Sequence, residues 1–145
     1  RVLYDDAEMG KASDITLKSD DKIKRVVLCT GKVYYDLLAE RDARGQDDTY
    51  LMRVEQLYPF PHDVLVKELA RFKNVTSIVW AQEEPKNMGY WFFVNPLIEE
   101  ALLEAKLKVT RPVYAGRAAT AATATGLASK HAAQQAALVE DALKF

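Results

Sequence analysis

The stretch RVVLCTGKVYYDLLAERDARG, residues 25–45, decides the fold. Residues 25–29 are a short apolar run stopped by Thr30-Gly31, which reads as a buried strand. Val33, Tyr34, Leu37 and Leu38 then recur at helical spacing over 33–44, and Gly45 supplies the stop. A strand that passes through a short turn into a helix is the unit of parallel sheets, whose crossovers need a dozen or more residues. Working outward, the same alternation recurs. Residues 49–54 read as a second strand, followed by the Pro59-Phe60-Pro61 turn, where proline removes a donor and fixes φ. A helix over 61–72 then places Leu65, Leu69 and Phe72 inward.

Residues 75–81, rich in Val, Ile and Trp, form the third expected strand. Gln82-Glu83-Glu84-Pro85 reads as a loop by composition, prolonged over 87–89. A helix spans about 90–106; Pro96 either interrupts it or opens it behind an Asn95 cap. Residues 112–114 make a brief fourth strand, 115–126 a small-residue loop, and 129–143 a closing helix capped by Ser129. Ala133, Ala137, Leu138 and Leu143 are among its apolar positions. The Ala/Thr tract at 118–124 is short and reads as surface loop. The expected class is therefore α/β: a three-layer, mostly parallel open sheet with helices on both faces. Right-handed crossovers bring every strand-to-helix loop to the carboxyl edge, where such sheets bind ligands.

The 145 residues suit one domain with a real core, and 49% apolar with 28% charged is an ordinary globular balance. A formal charge of −1 argues against nucleic acid as a partner. No apolar run approaches a membrane span, and the start, RVLYDDAEMGKASDI, lacks the basic end and apolar core of a signal peptide. Residues 1–24, with few apolar anchors and many charges, have linker composition, so the chain reads as an entry linker plus an α/β domain over 25–145. The absent initiator methionine fits a piece of a longer polypeptide or simple processing. One cysteine, Cys29, excludes an internal disulfide framework and reads as a buried thiol at a strand end; a reactive thiol would need exposure and nearby charge.

Candidate chemistry gathers on the same edge. Thr30, Gly31 and Lys32 offer a hydroxyl, helix-start N–H groups and an ammonium to an anion, or simply a tight turn with an exposed lysine. Arg53 and Glu55 alternate along one strand face and either pair with each other or present charge to a ligand. Glu83 and Glu84, adjacent in an extended stretch, should point apart, which disfavours a shared acid/base role; one of them pairing with Arg117 or Lys32 is the better reading. Arg117 ends the fourth strand and can meet a phosphate or carboxylate bidentately, or a neighbouring glutamate. Tyr90, Trp91, Phe92 and Phe93 read as core or contact surface. His62 and His131 have no metal-ligand spacing, and no nucleophile-plus-base set or Walker A loop appears. From residues alone this is a binding or assembly domain.

RVVLCTGKVYYDLL, MRVEQLYPFP, VWAQEEPKNMGYW and YAGR, in this order, resemble the carboxy-terminal domain of the 2-oxoglutarate dehydrogenase first component, from about residue 24 to the end. RVEQLYPFP and QEEPxNxG are specific in combination; shorter versions occur in pyruvate and branched-chain enzymes and, more loosely, in transketolases. The resemblance implies a transketolase-type carboxy-terminal fold with one antiparallel strand. It implies thiamine diphosphate and Mg2+ in the full-length enzyme, bound outside this segment, whose sequence lacks the GDG…NN cofactor motif and the family's catalytic histidines. The segment alone is then expected not to decarboxylate 2-oxoglutarate. Implied partners are upstream domains, a homodimer mate, and the succinyltransferase and lipoamide dehydrogenase of a multienzyme complex. The implied setting is bacterial cytoplasm, or mitochondrial matrix in a eukaryote. An acetyl-CoA or AMP effector site is also implied, with Arg53 and Glu55 at its centre and Thr30, Lys32 and Arg117 around them. The family's usual GRPASASPA loop reads Gly116-Arg117-Ala118-Ala119-Thr120-Ala121-Ala122 here, without its prolines. Two other readings remain open at this point: a free-standing nucleotide-binding module, and a pyruvate dehydrogenase or transketolase relative.

Overall fold

The computed structural model describes residues 1–11, 13–121 and 126–144. The strands are β1 (Val2–Leu3), β2 (Arg25–Cys29), β3 (Thr49–Val54), β4 (Ser77–Pro85) and β5 (Val113–Arg117). The helices are α1 (Val33–Arg44), α2 (His62–Leu69), α3 (Trp91–Glu104) and α4 (Ala128–Leu143). Sheet order is β1-β3-β2-β4-β5, parallel except for β1, which runs antiparallel to β3 with Val2 opposite Val54. The α/β class and the lone antiparallel strand match the expectation.

Strand side chains alternate between two cores, as a two-sided sheet requires. Val26, Leu28, Tyr50, Met52, Ile78 and Trp80 pack on the side of α2 and α3. Val27, Cys29, Leu51, Val79, Ala81 and Ala115 pack on the side of α1 and α4. Leu65, Leu69 and Phe72 are fully buried, as their spacing predicts.

Several boundaries differ from the sequence reading, each for a local reason. β4 runs on through Gln82-Glu83-Glu84-Pro85, expected to be a loop; after a register irregularity Pro85 pairs with Arg117, so β5 also extends past Tyr114. α3 begins before Pro96, which lies inside it. Lacking an N–H, Pro96 leaves the carbonyl of Phe92 without its usual helical partner, and Phe92 is exposed. α4 is preceded by Leu127, so Ser129 lies within the helix and makes no cap. Its buried residues are Leu138, Val139, Ala142 and Leu143, while Ala133 and Ala137 face outward. Of the small-residue loop, residues 122–125 lie outside the described residues.

Residues 1–24, of linker composition, are built into the domain. β1 pairs with β3, and Asp5 is fully buried against Arg41, also fully buried. The charges that make this segment look like a linker are the ones that anchor it. Asp5 accepts from both terminal nitrogens of Arg41, from Leu51 N at 2.7 Å and from Ala7 N at 2.9 Å. Tyr50 Oη donates to Glu8, and Arg71 pairs with Glu8, Asp20 and Glu68.

Candidate functional site at the carboxyl rim

The turn between β2 and α1 is tight because Gly31 adopts φ +79°, a conformation that side chains resist. That brings Thr30, Gly31 and Lys32 to the rim beside the ends of β3 and β4. Around this turn the candidate residues fall into two adjoining groups.

In the first, Glu55 accepts from Gly31 N at 3.2 Å and from Thr30 Oγ1 at 3.3 Å. The Gly31 N–H of the turn, one of the donors within reach of an anion, is held by a carboxylate of the chain itself. Arg53 and Glu55 do not pair with each other. Arg53 lies over the Tyr34 ring, 4.0 Å from its centroid, and its Nη2 reaches Asp6 at 3.4 Å. Among the described residues its buried Nε has no hydrogen-bond partner. Burial raises the pKa of Tyr34, keeping the ring a neutral platform for the guanidinium.

The second group is centred on Glu83. Lys32 Nζ donates to its carboxylate at 2.8 Å, as does Gln135 Nε2 at 2.8 Å, and Arg117 donates to its main-chain carbonyl. Arg117 is held further by Gln134 at 3.2 Å and Gln135 at 2.8 Å. The hydrogen bond it donates to Glu83 raises the pKa of Lys32, whose side chain is 79% exposed, so its ammonium is at hand for a ligand in solution. Glu83 thus takes the partners foreseen for one of the pair, and Glu84 is exposed. Thr30, Lys32 and Glu55 follow the carboxyl ends of β2 and β3, and Arg53 and Arg117 lie in the last residues of β3 and β5. Lys32 and Arg117 meet at Glu83, Thr30 meets Glu55, and Arg53 turns toward Asp6.

Cys29 lies beneath this rim with no exposed surface, and burial pushes its thiol pKa up, so it is an inert core residue. Among the described residues no group of three or more His, Cys, Asp or Glu is arranged to hold a metal. Nor is any described helix long and apolar enough to cross a membrane.

Sequence reasoning missed three contributors. Asp6 falls in the stretch of linker composition, and Tyr34 reads only as a helix-core residue. Gln82 reads as a loop residue by composition, yet it is 2% exposed and its side chain fastens the Glu84–Trp91 turn. The available signal for Gln82 was its place directly after an unbroken apolar run, where a polar side chain must find internal partners.

The rim is closely packed at Gly116. A Cβ there would meet the Tyr114 ring and stand 2.9 Å from the carbonyl of Gln82. Tyr114 is itself tied, donating at 2.6 Å to the carbonyl of Arg117, with its pKa pushed by burial to about 12. Gly116→Ala should therefore destabilise the protein by about 1–3 kcal/mol, the usual range for overpacking. A thermal melt indistinguishable from the parent would show that β5 yields freely there.

Comparison with known proteins agrees with this architecture. The profile of the 2-oxoglutarate dehydrogenase C-terminal family matches residues 1–143. The chain is 58% identical over 143 residues to the 2-oxoglutarate dehydrogenase E1 component of Brucella anthropi, covering 99% of this chain and 14% of that protein. The same identity and coverage hold for the E1 component of Brucella ovis. The chain thus spans about 14% of the length of the curated relatives it matches. Among solved structures, a split-gene transketolase in an inactive beta4 tetramer aligns with TM-score 0.53 at 20% identity, over 90% of this chain and 43% of that one. That likeness is one of fold. With a family profile running from the first residue to within two of the last, this chain belongs to the 2-oxoglutarate dehydrogenase C-terminal family.

Proposed function

We propose that this segment serves a thiamine-diphosphate-dependent 2-oxoglutarate dehydrogenase, in which upstream domains bind thiamine diphosphate and Mg2+ and convert 2-oxoglutarate and a lipoyl group to succinyl-dihydrolipoyl and CO2. The segment itself supports assembly and binds an anionic effector of the acetyl-CoA or AMP class. Residues 25–145 are its α/β body and 1–24 the entry segment from upstream. The partners are those upstream domains, a homodimer mate, and the succinyltransferase and lipoamide dehydrogenase of the complex. The bacterial relatives support placement in the cytoplasm.

Assembly is supported by an aromatic surface near the start of α3. Tyr58 is 85% and Phe92 65% exposed, with Tyr90 and Phe93 also exposed and Phe60 packed edge-on against Phe93. Large apolar groups in such density belong to contact surfaces.

One observation carries the effector reading: Arg53, held against Tyr34 with a buried Nε that has no partner among the described residues, stands at a rim that also bears Thr30, Lys32 and Arg117. A buried donor without an acceptor is costly, and a phosphate oxygen would satisfy it. Calorimetry of the full-length protein with acetyl-CoA and with AMP tests this. Saturable heat is expected for at least one of them, and Arg53→Ala should weaken binding by roughly 10- to 100-fold, the worth of a charged hydrogen bond. Undiminished affinity in the variant would dismiss Arg53 as the anchor.

A further inference from the structure

We propose that the effector site is self-occluded. Two carboxylates of the chain, Asp6 and Glu55, hold the donors that an anionic ligand's oxygens take, and binding displaces them. The inference rests on the effector reading above.

The contacts have the character of displaceable ones. Glu55 is exposed, and its three bonds to the turn are long: Thr30 Oγ1 at 3.3 Å, Gly31 N at 3.2 Å and 3.4 Å. Charge-assisted bonds of full strength run shorter, roughly 2.7–2.9 Å for N–H donors to carboxylate. Asp6 meets Arg53 at 3.4 Å through one nitrogen, leaving Nε unused. Each carboxylate therefore occupies its donors without saturating them. A phosphate brings more acceptor oxygens and more charge, and can engage the guanidinium and the turn together.

The surroundings allow the exchange without unfolding. Glu55 can swing into solvent at little cost. Asp6 follows Asp5, whose pairing with Arg41 fixes the main chain, and Asp6 N donates to Tyr34 Oη at 2.9 Å. The Asp6 side chain can leave Arg53 while its backbone stays in place. Lys32 has an analogous arrangement, since its partner Glu83 keeps Gln135 when the ammonium turns to a ligand.

The test titrates the full-length protein with pyrophosphate, as a bare anion, and with AMP and acetyl-CoA. The parent is compared with Asp6→Asn, Glu55→Gln and Arg53→Ala. Removing a like charge beside an anion site should tighten pyrophosphate binding about tenfold in Asp6→Asn and in Glu55→Gln, with the nucleotides moving in the same direction. Binding by a neutralised variant where the parent shows none supports the proposal equally. If the parent binds, Arg53→Ala does not, and both neutralised variants match the parent, occlusion is overturned while the effector site stands. Weaker binding by Glu55→Gln also overturns it, making Glu55 a ligand contact. Absence of heat from every protein sinks both readings. A circular dichroism melt of each variant separates loss of fold from loss of binding, and Glu55→Gln, at an exposed position, carries the test if Asp6→Asn fails to fold.

Discussion

Replacing Asp5 with alanine should destabilise the protein by about 3–5 kcal/mol, the usual consequence of stripping one partner from a buried ion pair. Asp5 and Arg41 have no exposed surface at all. Without Asp5, the Arg41 guanidinium keeps Thr49 O at 3.1 Å and the Asp42 carboxylate at 3.0 Å, while the buried Leu51 N loses its acceptor. The destabilisation therefore combines an under-compensated buried cation with an unsatisfied amide. In a thermal melt this corresponds to a fall of roughly 10 °C for a domain of this size. Lys18→Ala supplies the contrast, because Lys18 and Asp47 are half exposed and 3.8 Å apart. Its effect should stay below about 0.5 kcal/mol. Equal melts for the two variants would mean that the entry segment adds nothing to the fold.

The same pair shows where sequence reading stops. Residues 25–54 were legible because strand and helix periods there coincide with burial on two faces; RVVLC is buried throughout and α1 has its expected bounds. The rim was legible in outline, since parallel topology alone sends Lys32, Arg53, Glu83 and Arg117 to one edge. What remained hidden was pairing over long separations. Asp5 finds Arg41, Arg53 finds Asp6, and Glu55 finds Gly31, and composition counts each of these as a solvated charge. A segment reads as linker when its charges lack visible partners, and these partners lie tens of residues downstream. The extension of β4 was hidden for a related reason. Glu83, Glu84 and Pro85 look like loop residues, but the pairing of Pro85 with Arg117 and the anchoring of Gln82 are decided by β5 and α3.

Gln82 is the other position where a single change should be felt across the domain. Its Oε1 accepts from Trp80 Nε1 at 2.9 Å and from Trp91 N at 3.1 Å. Its Nε2 reaches the carbonyls of Glu84 at 3.1 Å, Pro85 at 3.0 Å and Met88 at 2.9 Å. One amide thus joins β4, the turn after it and the first residue of α3. Gln82→Leu preserves volume and removes all of these bonds, leaving the indole of fully buried Trp80 and the main chain of Trp91 without acceptors. At roughly 1–3 kcal/mol for each stranded buried group, the expected loss is about 4 kcal/mol in chemical denaturation. Gln82→Glu separates chemistry from shape. The carboxylate retains acceptors for the two tryptophans but sets charge against three carbonyl oxygens, so it should be at least as damaging as leucine. Hydrogen exchange adds a local readout, with faster exchange expected at Met88–Trp91 than at β2. If the glutamate variant proves as stable as the parent, the turn does not depend on donation from Gln82, and the aromatic surface at the start of α3 is held in place by Trp91 packing alone.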